Sequence, residues 1–229
     1  MKKYIFFCLI AIGSASIVNA QKTTDYTSSK QYVDLSFGFG NKQGAISAGY
    51  FYNWGVGKNK KFFIGTGVRF TSVYGTAINF TSAPSSLAGD KLKEDTLLAP
   101  KPSVNALNVL INLGYNITPK LQAGFNIDVI GASFGSQGSP SFISNGVIQA
   151  TKAKPAGFNV LLVGNNDRGT LNSEFYARYR FTDKFGAKIA YQYQFTELVT
   201  STKIQTAPVA NDRFRNKAGL INIGFSYHF

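Results

Sequence analysis

Seven charged side chains stand on the polar faces of alternating segments: Asp34, Arg69, Asp128, Glu174, Arg178, Arg180 and Lys188. Four cations and three anions placed this way have the makings of a buried ion-pair network, because a charge withdrawn from water persists only beside an opposite one. The rest of the reactive inventory is sparse. The single histidine, His228, is penultimate, and the single cysteine, Cys8, lies in an N-terminal apolar stretch. Nucleophilic catalysis needs a base held beside a hydroxyl or thiol, and a metal site needs several ligands. The sequence therefore predicts no catalytic residue, no metal site, no cofactor and no enzyme activity.

The elements that must position those charges read with a period of two. Over Tyr32–Gly40, Val33, Leu35, Phe37 and Phe39 oppose Asp34, Ser36, Gly38 and Gly40. Strands at 45–54, 61–74, 103–117, 121–134, 170–181, 185–199 and 220–229 follow, each setting an apolar row against a polar or glycine-rich one. The expected fold class is all-β, an eight-stranded antiparallel up-and-down barrel with both termini on one side. Connections 55–60, 118–120 and 182–184 are short. On the other side 41–44 is a tight turn, while 75–102, 135–169 and 200–215 are long and read as loops. Within 135–169, Asn145-Gly146 signals a hairpin that would extend the flanking strands, with an exposed partner-binding patch as the competing reading.

Alternation alone does not say which face is inside. A soluble ligand-binding barrel would turn its large apolar face inward. Here the other face carries the seven charges, so the charges belong in the lumen and lipid outside. If the 182–184 turn pairs Phe181 with Phe185, Arg178 faces Lys188, a like-charge pair that requires an anion. Glu174 and Asp128 are the expected partners. The lumen of an eight-stranded barrel is just wide enough to be filled by side chains, so a charged plug is expected. The alternative is a narrow hydrated path through space left by inward glycines.

On the outward face, Trp54, Phe62, Tyr115, Phe181, Phe185 and Phe229 fall at the strand ends beside the short turns, as an interfacial aromatic girdle would. Ile223, Phe225, Tyr227 and Phe229 alternate up to the last residue. This ending resembles the C-terminal insertion signal of bacterial outer-membrane β-barrels. Residues 1–20 read as a cleaved signal peptide, with Lys2 and Lys3, an apolar stretch from Tyr4 to Ile12, and Val18-Asn19-Ala20 at the cleavage site. Residues 21–31 form a polar lead-in and 32–229 the barrel.

The chain as a whole resembles OmpA/OmpX-like barrels, and its Asn-, Lys- and aromatic-rich style resembles the PorT-type outer-membrane barrel family of Bacteroidota. The resemblance implies residence in the outer membrane among lipid and lipopolysaccharide, and contact with the barrel-assembly machinery during insertion. It also implies a structural or partner-binding role, with an envelope protein partner engaged through the long loops. A narrow pore for small solutes is the alternative. The net charge of +13, of which Lys2 and Lys3 belong to the leader, does not point to nucleic acid in an exported chain without an Arg-aromatic cluster. Lys203, Arg213, Arg215 and Lys217, set against Asp212, are candidates for lipopolysaccharide phosphates.

Overall fold

The computed structural model describes residues 30–162 and 166–229. The leader and most of the lead-in lie outside them. In chain order the strands are β1 (Gln31–Phe39), β2 (Gln43–Val56), β3 (Phe62–Gly75), β4 (Ile78–Ser82), β5 (Thr96–Ala99), β6 (Ser103–Asn116), β7 (Leu121–Phe134), β8 (Ser141–Ser144), β9 (Val147–Ala150), β10 (Ala153–Pro155), β11 (Phe158–Val160), β12 (Leu171–Arg180), β13 (Phe185–Thr200) and β14 (Arg213–His228). Eight of these (β1, β2, β3, β6, β7, β12, β13 and β14) pair with their neighbours in an antiparallel ring. The ring closes where β1 lies between β2 and β14, so that Val33 stands opposite both Tyr50 and Tyr227. Closure leaves this wall with no free edge.

The period of two decides which side chains face which way. Along β1, Val33, Leu35, Phe37 and Phe39 are exposed on the outer wall, whereas Tyr32, Asp34 and Ser36 are buried in the lumen. The same division runs along β14, with Ile221, Ile223 and Phe225 outward and Asn222, Ser226 and His228 inward. A wall this apolar is one that hydrocarbon, not water, must cover. One irregularity interrupts the alternation. Val109 pairs with Ile130 and Leu110 with Asp128, so Val129 is a bulge. Beyond it the parity of β7 changes, bringing Ile130 and Phe134 outward and Ser133 inward.

The long connections are not structureless, which corrects the reading of 75–102 as a loop. Strand β4 joins the upper end of β14 through Phe214 and Ser82. From there the sheet continues through β5, β8 and β9. The Asn145-Gly146 hairpin forms, with both residues at positive φ (47° and 79°). Its arms do not extend β7 and β12, however, because β8 lies on β5. Strand β14 also begins at Arg213 rather than Leu220, because its upper half pairs with the upper half of β13 as far as Val199. These additions build a cap. Val73, Val104, Leu198 and Phe214 point from the barrel wall into an apolar cluster with Phe80, Leu97 and Phe142 from the cap strands. The mouth on the side of the long connections is thus filled with hydrocarbon side chains.

Candidate functional site

Below the apolar cap, the lumen holds an unbroken run of ion pairs. Arg69 on β3 reaches Asp128 on β7 at 2.6 Å and Glu174 on β12 at 3.7 Å. Lys188 on β13 lies 3.0 Å from Glu174 and 2.8 Å from Asp34 on β1. Arg178 on β12 closes the series, 3.1 Å from Asp34. Three cations and three anions alternate, all buried, so each charge has an opposite neighbour and the set is neutral.

Six of the seven residues singled out by parity thus meet, and Arg180 does not. Its guanidinium donates to the Pro119 carbonyl at the base of the barrel, outside the series. Strand pairing does place Arg178 opposite Lys188. Of the two carboxylates named from the sequence, Glu174 pairs with Lys188 and Asp128 with neither, and the carboxylate between the two cations is Asp34 from β1. Asp128 is instead engaged higher up. It takes Arg69 on one oxygen, and Asn108 Nδ2 (2.8 Å) and the Asn172 N–H (2.9 Å) on the other.

Amides and aromatic rings complete the lumen. Asn126 accepts from Arg69 at 2.7 Å and donates to Glu174 at 2.9 Å. The Arg178 guanidinium lies over the Tyr32 ring, 3.9 Å from its centroid, and Tyr32 stacks on Phe51 at 4.7 Å. Tyr176 donates to Asn112 at 2.9 Å. These residues occupy the inward rows that the alternation identifies, but their contacts depend on height and position around the ring, which a one-dimensional pattern does not carry. His228 packs beside Tyr32, with its Nε2 3.0 Å from Ser226 Oγ. Among the described residues, no three His, Cys, Asp or Glu side chains group closely enough to hold a metal ion.

Two of the inward glycines are backed by aromatic rings. A Cβ on Gly49 would stand 2.7 Å from the Phe51 ring, and one on Gly124 would stand 2.5 Å from the Tyr176 ring. At these two positions the missing side chain is thus replaced by a neighbouring ring.

A second charged group lies on the outer face where β13 and β14 rise above the apolar band. Glu197 accepts from Arg213 at 2.8 Å and from Arg215 at 2.9 Å, and both arginines donate to the Asp167 carbonyl. The anion that gathers these arginines is therefore Glu197, not Asp212. On the loop above, Lys93 hydrogen-bonds Asp90 and holds its carboxyl below the usual carboxylate range, with help from the Leu92 N–H.

The outward aromatics form neighbouring pairs at the end with the short turns. Phe62 stands opposite Tyr115. Phe185 stands opposite Tyr227, with ring centroids 5.3 Å apart, and Tyr227 touches Phe229 at 5.2 Å. Trp54 and Phe181 are exposed at the same end, and Ile223 and Phe225 continue the apolar row upward. An edgeless ring, an apolar outer wall and a buried ion-pair lumen define a class: the small eight-stranded β-barrel of transmembrane type.

No protein-family model matches the chain, and no curated protein matches it. Solved structures are similar to it, among them three small barrels. Neisserial surface protein A is 9% identical with a TM-score of 0.39, and 87% of this chain and 94% of that one are covered. The N-terminal β-barrel domain of Pseudomonas aeruginosa OprF is 8% identical at TM-score 0.37, covering 87% and 96%. The attachment invasion locus protein Ail of Yersinia pestis is 12% identical at TM-score 0.36, covering 87% and 95%. The class rests on the chain's own wall and lumen rather than on these distant likenesses.

Proposed function

We propose that this chain is an integral outer-membrane β-barrel without catalytic activity, closed to solute flow, which presents its folded cap to an envelope partner at the cell surface. The observation that carries the reading is the double filling of the lumen, apolar at the capped mouth and ion-paired below it. The orientation follows from the asymmetry of the connections, because outer-membrane barrels keep short turns in the periplasm and longer loops outside. The cap offers apolar contact points: Val147 and Ile148, on the edge strand β9, are 68% and 69% exposed. A finer kinship with PorT-type barrels is part of this proposal and rests on compositional style. Insertion by the barrel-assembly machinery through the Phe229 ending belongs to it as well.

Cell fractionation followed by gel migration of unheated and boiled samples tests the reading. The expected result is an outer-membrane protein whose unheated band migrates differently from the boiled one. A periplasmic protein with no heat-dependent shift overturns it. Crosslinking from position 148 then tests for the envelope partner.

A further inference from the structure

We infer that the outer face of β14 above the apolar band, together with the cap loop facing it, forms a binding site for the phosphate of an outer-leaflet glycolipid. The inference rests on the outer-membrane reading above and adds a ligand class and named residues to it.

Height is the first argument. The outward row of β14 runs Phe229, Tyr227, Phe225, Ile223, Ile221, Gly219 and then Lys217, Arg215 and Arg213. At about 3.4 Å per residue, Gly219 lies about 34 Å along the strand from Phe229. A tilt of about 40° reduces this to about 26 Å of height, matching the outward apolar band of about 25 Å typical of such barrels. Lys217 stands two residues higher, at the level where headgroup phosphates begin.

Chemistry is the second. A groove of about 290 Å³ lies here, with Thr81, Ser85, Ala88 and Glu94 among its cap-side residues and Arg215 and Lys217 on the β14 side. Lys217 is exposed, its ammonium is 5.8 Å from the Phe195 ring, and among the described residues it has no carboxylate within ion-pair distance. Arg215 is more than nine-tenths buried. It is anchored to Glu197 through one terminal nitrogen, while its Nε has no hydrogen-bond partner. Arg213 and Arg215 share the carboxylate of Glu197 while Lys217 has none, so even with Glu94 across the groove three cations stand against two carboxylates and the rim is net positive. On the far wall Glu94 is fixed by the Gly89 N–H at 2.6 Å, and with the Thr81 hydroxyl it suits the hydroxyls of a sugar. Phosphate beside hydroxyls, above an acyl-chain surface, is the headgroup chemistry of a phosphorylated glycolipid.

The test uses the full barrel in detergent, verified to be folded by its heat-dependent gel shift, so that loss of the fold is distinguished from loss of the site. It is titrated with lipid A and with dephosphorylated lipid A, and bound lipid is counted by native mass spectrometry. Lipid A is expected to bind more tightly than its dephosphorylated form. K217Q should weaken lipid A about fivefold, as expected for one lysine at an anionic membrane surface. K217R should retain binding, and K184Q, which removes a cation at the opposite end, should leave it unchanged. Equal binding of the two lipids, no binding by the wild type, or wild-type affinity in K217Q would each overturn the site.

Discussion

Asp34 holds together the like-charge pair of the lumen wall, because Arg178 and Lys188, which face each other across β12 and β13, share its carboxylate. Asp34→Asn leaves two buried cations with one fewer anion. Breaking such a buried pair is expected to lower stability by about 3–5 kcal/mol. The denaturant midpoint of the refolded barrel measures the loss. Adding Lys188→Gln to Asp34→Asn should recover part of it, because the like-charge pair is then gone. Arg180→Gln makes the contrast: only partly buried and bonded to a carbonyl, Arg180 should contribute no more than about 1 kcal/mol. Parity placed both arginines in the lumen but could not separate them. The difference lies in height, since Arg180 sits one inward position nearer the base, level with Gly186 rather than with the acids. Asp34 was missed as the bridging anion for a related reason. It is 144 residues from Arg178 in sequence, and only ring closure through β14 brings β1 beside that part of the wall.

Long strands with a sustained period of two were legible, and short strands whose pairing is set far along the chain were not. The turn at 182–184 and the hairpin at Asn145-Gly146 are written locally, in turn residues whose backbone geometry few other residues accept. Strands β4 and β5, of five and four residues, are too short to show a period, and their pairing begins on β14, far along the chain. The bulge at Val129 has no local signal either, because both parities around it offer apolar residues. The cap's stability therefore depends on packing rather than on turns, and Leu97 is its best reporter, being fully buried among Phe80, Phe142 and Phe214. Leu97→Ala should destabilise the cap by about 2–5 kcal/mol. Limited proteolysis should then cut within 75–102 while the ring keeps its heat-dependent gel shift. Gly124→Ala probes the ring instead: its methyl would overlap the Tyr176 ring, and overpacking of this kind lowers stability by about 1–3 kcal/mol. The cap should remain protease-resistant in that variant until the ring itself unfolds.

At the scale of the whole molecule, mean hydropathy is uninformative: at −0.05 it averages a lipid-facing wall against a charged lumen, and only the period of two separates them. The same two-sided wall governs transport. Three layers lie in series along the lumen: the apolar cluster around Phe142 and Phe214, the ion pairs from Asp128 to Asp34, and the rings of Tyr32 and Phe51 with Arg178 laid over Tyr32. Layers in series block independently, so opening one does not open the path. Wild-type protein in planar bilayers should give no stable conductance. Phe142→Ala, which loosens only the cap, should remain silent as well, because the ions would next meet a neutral, packed network whose buried charges are already paired. Replacing Arg69 and Asp128 together by serine keeps the charge balance and widens the middle layer, yet the ring layer beneath still closes the base. That double variant should also be silent. Stable channels in the wild type would establish a continuous hydrated path, and channels in Phe142→Ala alone would make the cap a gate over an otherwise open lumen.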